Sequence, residues 1–303
     1  MKRQIPLFFL LILILSFLFT TSCVENKNEN DNSMFDSLVN QQKSTDIPIE
    51  VINKVLKSLP SPVEMTTMIK QTGAEFQEKN INDDDNYKNY TSSYKRALNL
   101  GIYGTDLGYI NMYDKYLLSG AYLDIVRKLA DDLNVGQFFD LGTIKRMVSN
   151  KNNVDSLMYI STVSFEKMTT HLKEKNRSHI GALILVGGWL EGLYILTQTY
   201  ETNPSKDFAE KICEQKIAVN DLMLLLSVYE KESSFNQLNN DFKKIKSTFD
   251  AVEITYTVGE PTAEVIDGVL VVQDQTKSVI KYTDEQLKNI INETSRLRND
   301  IIK

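Results

Sequence analysis

The chain has 303 residues, of which 34 are Lys or Arg and 40 are Asp or Glu, so its formal net charge is −6. A mildly acidic protein lacks the basic surface that binds the phosphates of DNA or RNA. We therefore expect no nucleic-acid partner. The length is sufficient for a substantial hydrophobic core, either in one large domain or in two closely joined ones.

Residues 1–22 have the composition of a secretory signal peptide. Lys2 and Arg3 precede an apolar run at 5–19, and small polar residues follow before Cys23. The ending "TTSC" resembles the lipobox of bacterial lipoproteins, in which the cysteine is lipidated and becomes the first residue of the mature protein. The resemblance implies acyl chains, palmitate among them, on Cys23. A cleaved soluble form and an uncleaved anchor helix are the alternatives.

The next segment, residues 23–46, is interpreted as the lipidated cysteine and a flexible tether. Its beginning, "VENKNENDNS", is rich in Asn and Glu and has almost nothing to bury, so it cannot offset the entropy of ordering. Acyl chains on Cys23 would make the membrane the first partner of the protein. We expect a lipid-anchored protein of the bacterial cell envelope, at the outer membrane, facing either the periplasm or the cell surface.

Helical periodicity dominates residues 47–303, which we interpret as a helical domain. Ser61, Pro62 and Glu64 form a capping box with proline at the first helical position, which predicts a helix start. Apolar residues recur at spacings of three and four within 109–133, 157–172, 208–226 and 238–252. These patterns predict a mainly all-α fold, a multi-helix bundle or helical array.

The period changes near the end of this domain. The segment "VEITYTV" at 252–258 alternates in polarity, and "VIDGVLVVQ" at 265–273 places Asp-Gly between two apolar runs. We predict a small β-hairpin within about 252–282. Thr283 and Gln286 then form a second capping box, which predicts a C-terminal helix at about 284–302.

The stretch "GALILVGGWLEGLYIL", residues 181–196, is apolar on all sides except for Glu191. A membrane span, a ligand site and a core helix are the alternatives, and the acid near its middle favours a core helix. Gly187, Gly188 and Gly192 each weaken a helix by about 0.8–1 kcal/mol relative to alanine. We expect that the close approach of another backbone compensates for this loss.

The segment "LNLGIYGTDLGYINMYD", residues 98–114, is the expected partner. Its glycines Gly101, Gly104 and Gly108 are spaced three and four apart, so a helix places them in one seam. We predict that the two glycine-bearing helices cross glycine to glycine.

Enclosure of Glu191 in such a crossing requires hydrogen bonds, a cation or protonation, because an unpaired buried carboxylate is strongly penalised. The partners expected from the sequence are Tyr94, Arg96, Tyr103 and Tyr113. The candidate ligand-binding site or buried polar cluster consists of Tyr103, Asp106, Tyr109, Tyr113, Trp189, Glu191 and Tyr194. For Glu191, the alternatives are a satisfied core carboxylate, a residue lining a small pocket, and a catalytic acid or base.

Three segments resemble a family of uncharacterised bacterial envelope lipoproteins over most of the mature chain. They are "LPSPVEM" (59–65), "LNLGIYGTDLGY" (98–109) and "GGWLEGLYI" (187–195). The resemblance implies an envelope location and an all-helical body, and it implies no particular reaction. Its motif positions to test first are Tyr103, Asp106, Trp189, Glu191 and Tyr194.

Catalytic and metal-binding signatures are scarce. The two histidines, His171 and His179, fit no zinc spacing, and 83–85 lacks the glycine and glutamate of a calcium loop. No nucleophile elbow, Walker loop or dinucleotide-binding fingerprint is present. Cys213 has no obvious histidine partner and is interpreted as a buried thiol. We expect no metal and no cofactor.

These observations favour a non-catalytic, membrane-anchored envelope lipoprotein that binds a small molecule, a glycan or a protein through its helical scaffold. A structural or assembly partner of an envelope complex is the alternative. A hydrolase or lyase that uses Glu191 and Asp106 as a carboxylate pair is less favoured, so the sequence argues against an enzyme without deciding the matter.

Overall fold

The computed structural model describes Val55, Leu59 and residues 62–139, 154–257, 259, 262–266, 269–273 and 277–303. The predicted signal peptide (1–22), lipidated Cys23 and tether (23–46) lie outside the described residues.

The described chain is mainly helical, as predicted. Helix boundaries fall at the polar segments that interrupt the apolar periodicity, and α4 is separated from α5 by a turn at Asn176, whose φ is 53°. The helices are α1 (Pro62–Gln71), α2 (Ser93–Met112), α3 (Tyr116–Asp132), α4 (Val154–Glu174), α5 (Ser178–Thr202), α6 (Lys206–Glu214), α7 (Lys216–Ser227), α8 (Asn236–Asp250) and, after the strands, α9 (Asp284–Ile301).

The strands form two antiparallel pairs, nested in sequence. Strand β1 (Glu253–Thr257) pairs with β4 (Lys277–Lys281), and β2 (Thr262–Ile266) pairs with β3 (Val269–Gln273). The inner pair is the predicted hairpin, although its Asp-Gly turn lies outside the described residues. The outer pair extends the β-element beyond the single hairpin that was expected.

Helix α9 begins with the predicted capping box. The Thr283 hydroxyl accepts a hydrogen bond from the backbone N–H of Gln286, whose side-chain oxygen accepts one from the backbone N–H of Thr283. This reciprocal pair satisfies two helix-end donors. The helix then packs on α5 and α8.

Helix α5 is the centre of the bundle. It contacts α1, α2, α4, α6, α7 and α9, and 18 of its 25 residues are buried. Within the described part of the chain it is also the helix long and apolar enough to cross a membrane, but 89% of its apolar window is buried inside the protein. The structure thus uses this stretch as a core helix.

Helices α2 and α5 cross where glycines leave room for backbone contact. A Cβ atom at Gly101 would lie 2.1 Å from the carbonyl oxygen of Ile184, and one at Gly187 would lie 2.0 Å from the carbonyl oxygen of Leu98. Neither position can accept a side chain without separating the helices. The predicted glycine-to-glycine crossing is confirmed at these positions.

The prediction was wrong for Gly104. This residue is exposed, and a Cβ atom there would have nothing within 4 Å. Three residues rotate a helix by about 300°, so Gly104 lies about 60° away from Gly101 around the axis. Thr105, four residues after Gly101, faces the crossing instead, and its hydroxyl donates to the carbonyl oxygen of Gly188 at 3.1 Å.

A buried polar cluster as the candidate functional site

The seven residues predicted for the site occupy three places in the fold. Six of them are buried, and Tyr113 is half-buried. The first place is a charged cluster between α2, α5 and α9, the second is the contact between α2 and the segment after α1, and the third is the opposite side of α5. Tyr103, Asp106, Glu191 and Tyr194 belong to the charged cluster. Tyr109 and Tyr113 lie at the contact with the segment after α1, and Trp189 lies on the opposite side of α5.

The centre of the first place is an ion pair between Glu191 of α5 and Arg298 of α9. Arg298 donates from Nη2 to Oε1 at 2.7 Å and from Nε to Oε2 at 2.8 Å. The side chains are 0% and 4% exposed. Two parallel charge-assisted bonds in this geometry fix both side chains. Burial lowers the pKa of Arg298, but the charge and hydrogen bonds of Glu191, together with Asp106 and Tyr194, outweigh burial and raise it, so Arg298 stays protonated.

The expected partners of Glu191 were wrong. Arg96 instead donates to the carbonyl oxygen of Tyr90 at 2.9 Å and lies 3.2 Å from the carboxylate of Asp132. Both contacts turn its guanidinium away from α5. Tyr103 donates to the carbonyl oxygen of Asp83 at 2.6 Å. The cation comes from a helix that is 107 residues away in sequence.

Tyr194 supports the guanidinium from one turn further along α5. The Cζ atom of Arg298 lies 4.4 Å from the centroid of the Tyr194 ring. A cation over an aromatic face is attracted to the ring, and more strongly when water is excluded. Arg298 is therefore held by both a carboxylate and a ring of the same helix.

Asp106 of α2 lies within hydrogen-bonding reach of Glu191 and is 0% exposed. Its Oδ2 accepts from the backbone N–H of Asn82 at 3.1 Å, whereas Oδ1 receives no hydrogen bond from the described part of the chain. Burial and the charge of Glu191 raise the pKa of Asp106 well above its usual value, and Arg298 only partly offsets them. This carboxyl group is neutral at a pH where ordinary aspartates are charged.

Two tyrosines, Tyr90 and Tyr122, connect the loop at 80–86 to the helices around this cluster. Tyr122 of α3 donates to the carbonyl oxygen of Asn82, the Asn82 amide donates to Tyr90 at 3.1 Å, and Tyr90 donates to the carbonyl oxygen of Ile302 at 3.0 Å. The loop, α3 and the end of α9 are thereby joined by hydrogen bonds. The acidic residues at 83–85 are exposed, as expected for a solvated connection.

Tyr109 and Tyr113 hold the segment that follows α1. Tyr109 accepts from the backbone N–H of Gln77 at 3.1 Å, and Tyr113 donates to the carbonyl oxygen of Ala74 at 2.8 Å. The Phe76 ring packs 5.0 Å from Tyr109 and 5.8 Å from Tyr113, measured between centroids. These two tyrosines attach one segment of the chain to α2.

Trp189 lies on the side of α5 away from Glu191, as predicted. Its indole N–H donates to the side-chain oxygen of Gln215 at 3.2 Å, and its ring centroid lies 6.0 Å from that of Phe242. Both contacts are internal and belong to the core.

The acids and the thiol of this region are enclosed, which does not favour a reaction with a substrate. Glu191 and Asp106 do share one cluster, but neither reaches solvent. Cys213 is buried, and burial raises the pKa of its thiol to about 12, so it stays protonated. Among the described residues, no group of three or more His, Cys, Asp or Glu side chains could hold a metal ion.

Sequence reasoning missed Arg298, Asn82, Tyr90 and Tyr122. Arg298 had a local signal, because it stands seven residues after Ile291 and four after Thr294 on the buried face of α9. A charge on a buried helical stripe requires a partner. The other three had no comparable signal, since loop contacts over long sequence separations leave no periodic pattern.

No protein-family model matches the chain, and it matches neither a curated protein nor a solved structure. The resemblance of its motifs to envelope lipoproteins therefore stays a prediction. The proposed function is therefore based on the burial and contacts of the described residues.

Proposed function

We propose that this chain is a lipid-anchored, non-catalytic binding protein of the bacterial cell envelope. Acyl chains on Cys23 hold it at the outer membrane, and its helical body binds a small molecule, a glycan or a protein. The observation that supports a non-catalytic role is the enclosure of the Glu191–Arg298 pair with Asp106.

A hydrolase needs a carboxylate that touches substrate and exchanges protons with it. Glu191 already accepts two hydrogen bonds from Arg298, and both it and Asp106 are 0% exposed. The Glu191–Arg298 pair joins α5 to α9, and Asp106 brings α2 to the same cluster. This disfavours the carboxylate pair as catalytic machinery.

The tyrosines of the candidate ligand-binding site form hydrogen bonds within the protein itself. The hydroxyl groups of Tyr103, Tyr109 and Tyr113 are bonded to backbone atoms of residues 74–83. A ligand would have to break those bonds before it could use these groups. Binding on the outer surface of the helices is therefore favoured over binding among the tyrosines.

An assembly role is the second candidate. Tyr116 and Leu117 begin α3 and are 49% and 97% exposed, and Ile217, Tyr256 and Val279 are also exposed. Exposed apolar groups are common singly, but adjacent large ones favour contact with another protein.

Anchoring is tested by labelling cells with a palmitate analogue and comparing the wild type with Cys23→Ala. Label on the wild type only, together with its recovery in the outer-membrane fraction, supports the proposal. Label on neither protein contradicts the anchor.

Binding is tested by native mass spectrometry of the full lipidated chain, extracted in detergent from the bacterium that makes it. A co-purifying small molecule or glycan supports the leading proposal. A stoichiometric protein that is lost from the Leu117→Ser variant supports the assembly role. Turnover of a substrate that is abolished by Glu191→Gln in a folded protein would contradict a non-catalytic function.

A further inference from the structure

The charges of the buried cluster do not balance if every acid is ionised. Asp106 and Glu191 supply two carboxyl groups, and in the described part of the chain a single guanidinium, that of Arg298, faces them. With both acids ionised, the enclosed cluster would carry a net negative charge without water to solvate it. With one of them protonated, it is neutral. Buried charges in proteins are normally paired or removed by protonation.

Hydrogen bonding indicates which acid carries the proton. Both oxygens of Glu191 accept from Arg298, whereas Oδ1 of Asp106 has no donor within the described residues, and the Asp106 carboxyl group lies beside that of Glu191. Two oxygen acceptors cannot bond without a hydrogen between them. A proton on Asp106 supplies that hydrogen, so its O–H donates to Glu191.

We propose that Asp106 and Glu191 form a binding site for a single proton, and that this proton keeps α9 docked on α2 and α5. The bound proton completes the chain of contacts Asp106 to Glu191 to Arg298. Removal of the proton leaves two negatively charged carboxylates, Asp106 and Glu191, next to each other. Arg298, the side chain of α9 in this cluster, cannot neutralise both. Docking of α9 is consequently stronger at low pH than at high pH.

Within the described residues, Arg298 is the cation that acts on Asp106. The described charged and titratable groups that interact with Asp106 or with its neighbours are Glu191 and Tyr194 from α5, Arg298 from α9, Tyr122 from α3, Tyr103 from α2, Tyr90 from the segment before α2, and the exposed Asp83 and Asp84 of the loop. Burial raises the pKa of each of these tyrosines above its ordinary value, so they remain neutral at physiological pH.

The sign of the pH dependence follows from linkage. The folded state raises the pKa of Asp106 above its value in the unfolded chain, which is about 4. The stability that the proton contributes is therefore fully present below about pH 4. It is lost progressively as the pH rises toward the folded pKa.

Asp106→Asn is the matched variant for this site. An asparagine there has the same shape, its carbonyl oxygen can accept from Asn82, and its amide N–H can donate to Glu191 at every pH. The ratio of the unfolding constants, wild type to variant, should rise by up to about tenfold per pH unit above pH 4. Urea titrations of the full chain in detergent from pH 4 to 9 measure this ratio. A ratio that does not change with pH would overturn the proposal.

Infrared spectroscopy of the wild-type protein tests the site even if the variant misfolds. A carbonyl stretching band of a protonated, water-excluded carboxylic acid should be present at neutral pH. The Asp241→Asn variant, which removes a carboxylate on α8, should keep the band. Absence of the band from the folded wild type at neutral pH would overturn the proposal.

Hydrogen exchange tests the coupling to α9. After correction for intrinsic rates, amides of Asp284–Ile301 should lose protection in the wild type as the pH rises, before those of α5 do. The Asp106→Asn variant should retain its protection. Equal loss in both proteins would show that the proton does not hold α9.

Discussion

Two arginines of α9, Arg296 and Arg298, stand two residues apart and have opposite environments. Arg298 is 4% exposed and, among the described residues, is hydrogen-bonded to one carboxylate, that of Glu191, through two bonds. Arg296 is 35% exposed and binds three carboxylates, those of Glu293, Asp241 and Asp300. The arginine with more ionic partners is the one that water can still reach.

The difference teaches that the number of ion pairs is a poor measure of their importance. Water solvates Arg296 whether or not its partners are present, so each exposed pair contributes about 0–1 kcal/mol. Arg298 and Glu191 are enclosed with Asp106 and the Tyr194 ring, and neither is solvated in the way that Arg296 is. Removing either one leaves a buried charge without compensation, which costs about 3–5 kcal/mol. The following substitutions test this contrast between the interior and the surface.

Arg298→Met should have the largest effect. It leaves the Glu191 carboxylate buried without a cation, and we expect a loss of about 3–5 kcal/mol in the free energy of unfolding. Urea unfolding at neutral pH measures it. The double variant Glu191→Met, Arg298→Met should lose less than the sum of the two single variants, because no charge is then left unpaired. A single-variant loss below about 1 kcal/mol would place this pair with the surface pairs.

Gly101→Ala extends the contrast to α2. Its new Cβ atom would lie 2.1 Å from the carbonyl oxygen of Ile184, so α2 and α5 must separate. We expect a loss of about 3 kcal/mol, at the upper end of ordinary overpacking. Gly104→Ala, three residues further on, meets nothing within 4 Å and should stabilise the helix by up to about 1 kcal/mol. Thermal unfolding measures the melting temperature of each variant. Equal changes in the melting temperature of Gly101→Ala and Gly104→Ala would contradict the crossing.

Asp241→Asn should have a smaller effect with the opposite pH dependence to Asp106. Burial raises the pKa of Asp241, but hydrogen bonds from Gln237, Lys244 and Arg296 outweigh it, so the pKa lies below its usual value. The stability that this carboxylate contributes is present above about pH 4 and is lost at lower pH. We expect a loss of about 2 kcal/mol at pH 7 that shrinks as the pH falls below about 4 toward the folded pKa. A loss that is unchanged by acid would refute this assignment.

Arg296→Met should have the smallest effect. Asp300 is 48% exposed, and the buried Asp241 keeps its hydrogen bonds from Gln237 and Lys244, so the expected loss at neutral pH is below about 1 kcal/mol and shrinks further in 1 M salt. Denaturant unfolding at low and high salt measures it. A loss of unfolding free energy as large as that of Arg298→Met would contradict the expected difference between the buried and the exposed arginine.

Local patterns explain how much of the fold could be predicted. The apolar run at 181–196 and its glycines predicted a core helix and a close crossing, because helix geometry is set by neighbours in sequence. The capping box at Thr283 and the inner hairpin had equally local signals. The outer β1–β4 pair had none that fixed its register, and Gly104 was misassigned because spacing alone does not give the rotation of a helix at a crossing.

The candidate site was less predictable for a physical reason. The sequence showed that Glu191, as an acid within an apolar helix, requires a partner. Which residue is the partner depends on how α9 packs against α5. Arg96 was expected as a partner of Glu191, yet it binds the carbonyl oxygen of Tyr90 and the carboxylate of Asp132. Sequence could thus identify the unsatisfied group and not the residue that satisfies it.

The distance of 107 residues between Glu191 and Arg298 has a consequence for biogenesis. The ribosome synthesises α5 long before it reaches the arginine that neutralises its carboxylate. A chain that stops short of residue 298 can form helices, but it cannot enclose them around Glu191 without stranding a charge. Truncated products should accordingly remain loosely packed and accessible to proteases, which gives the cell a means of removing incomplete copies.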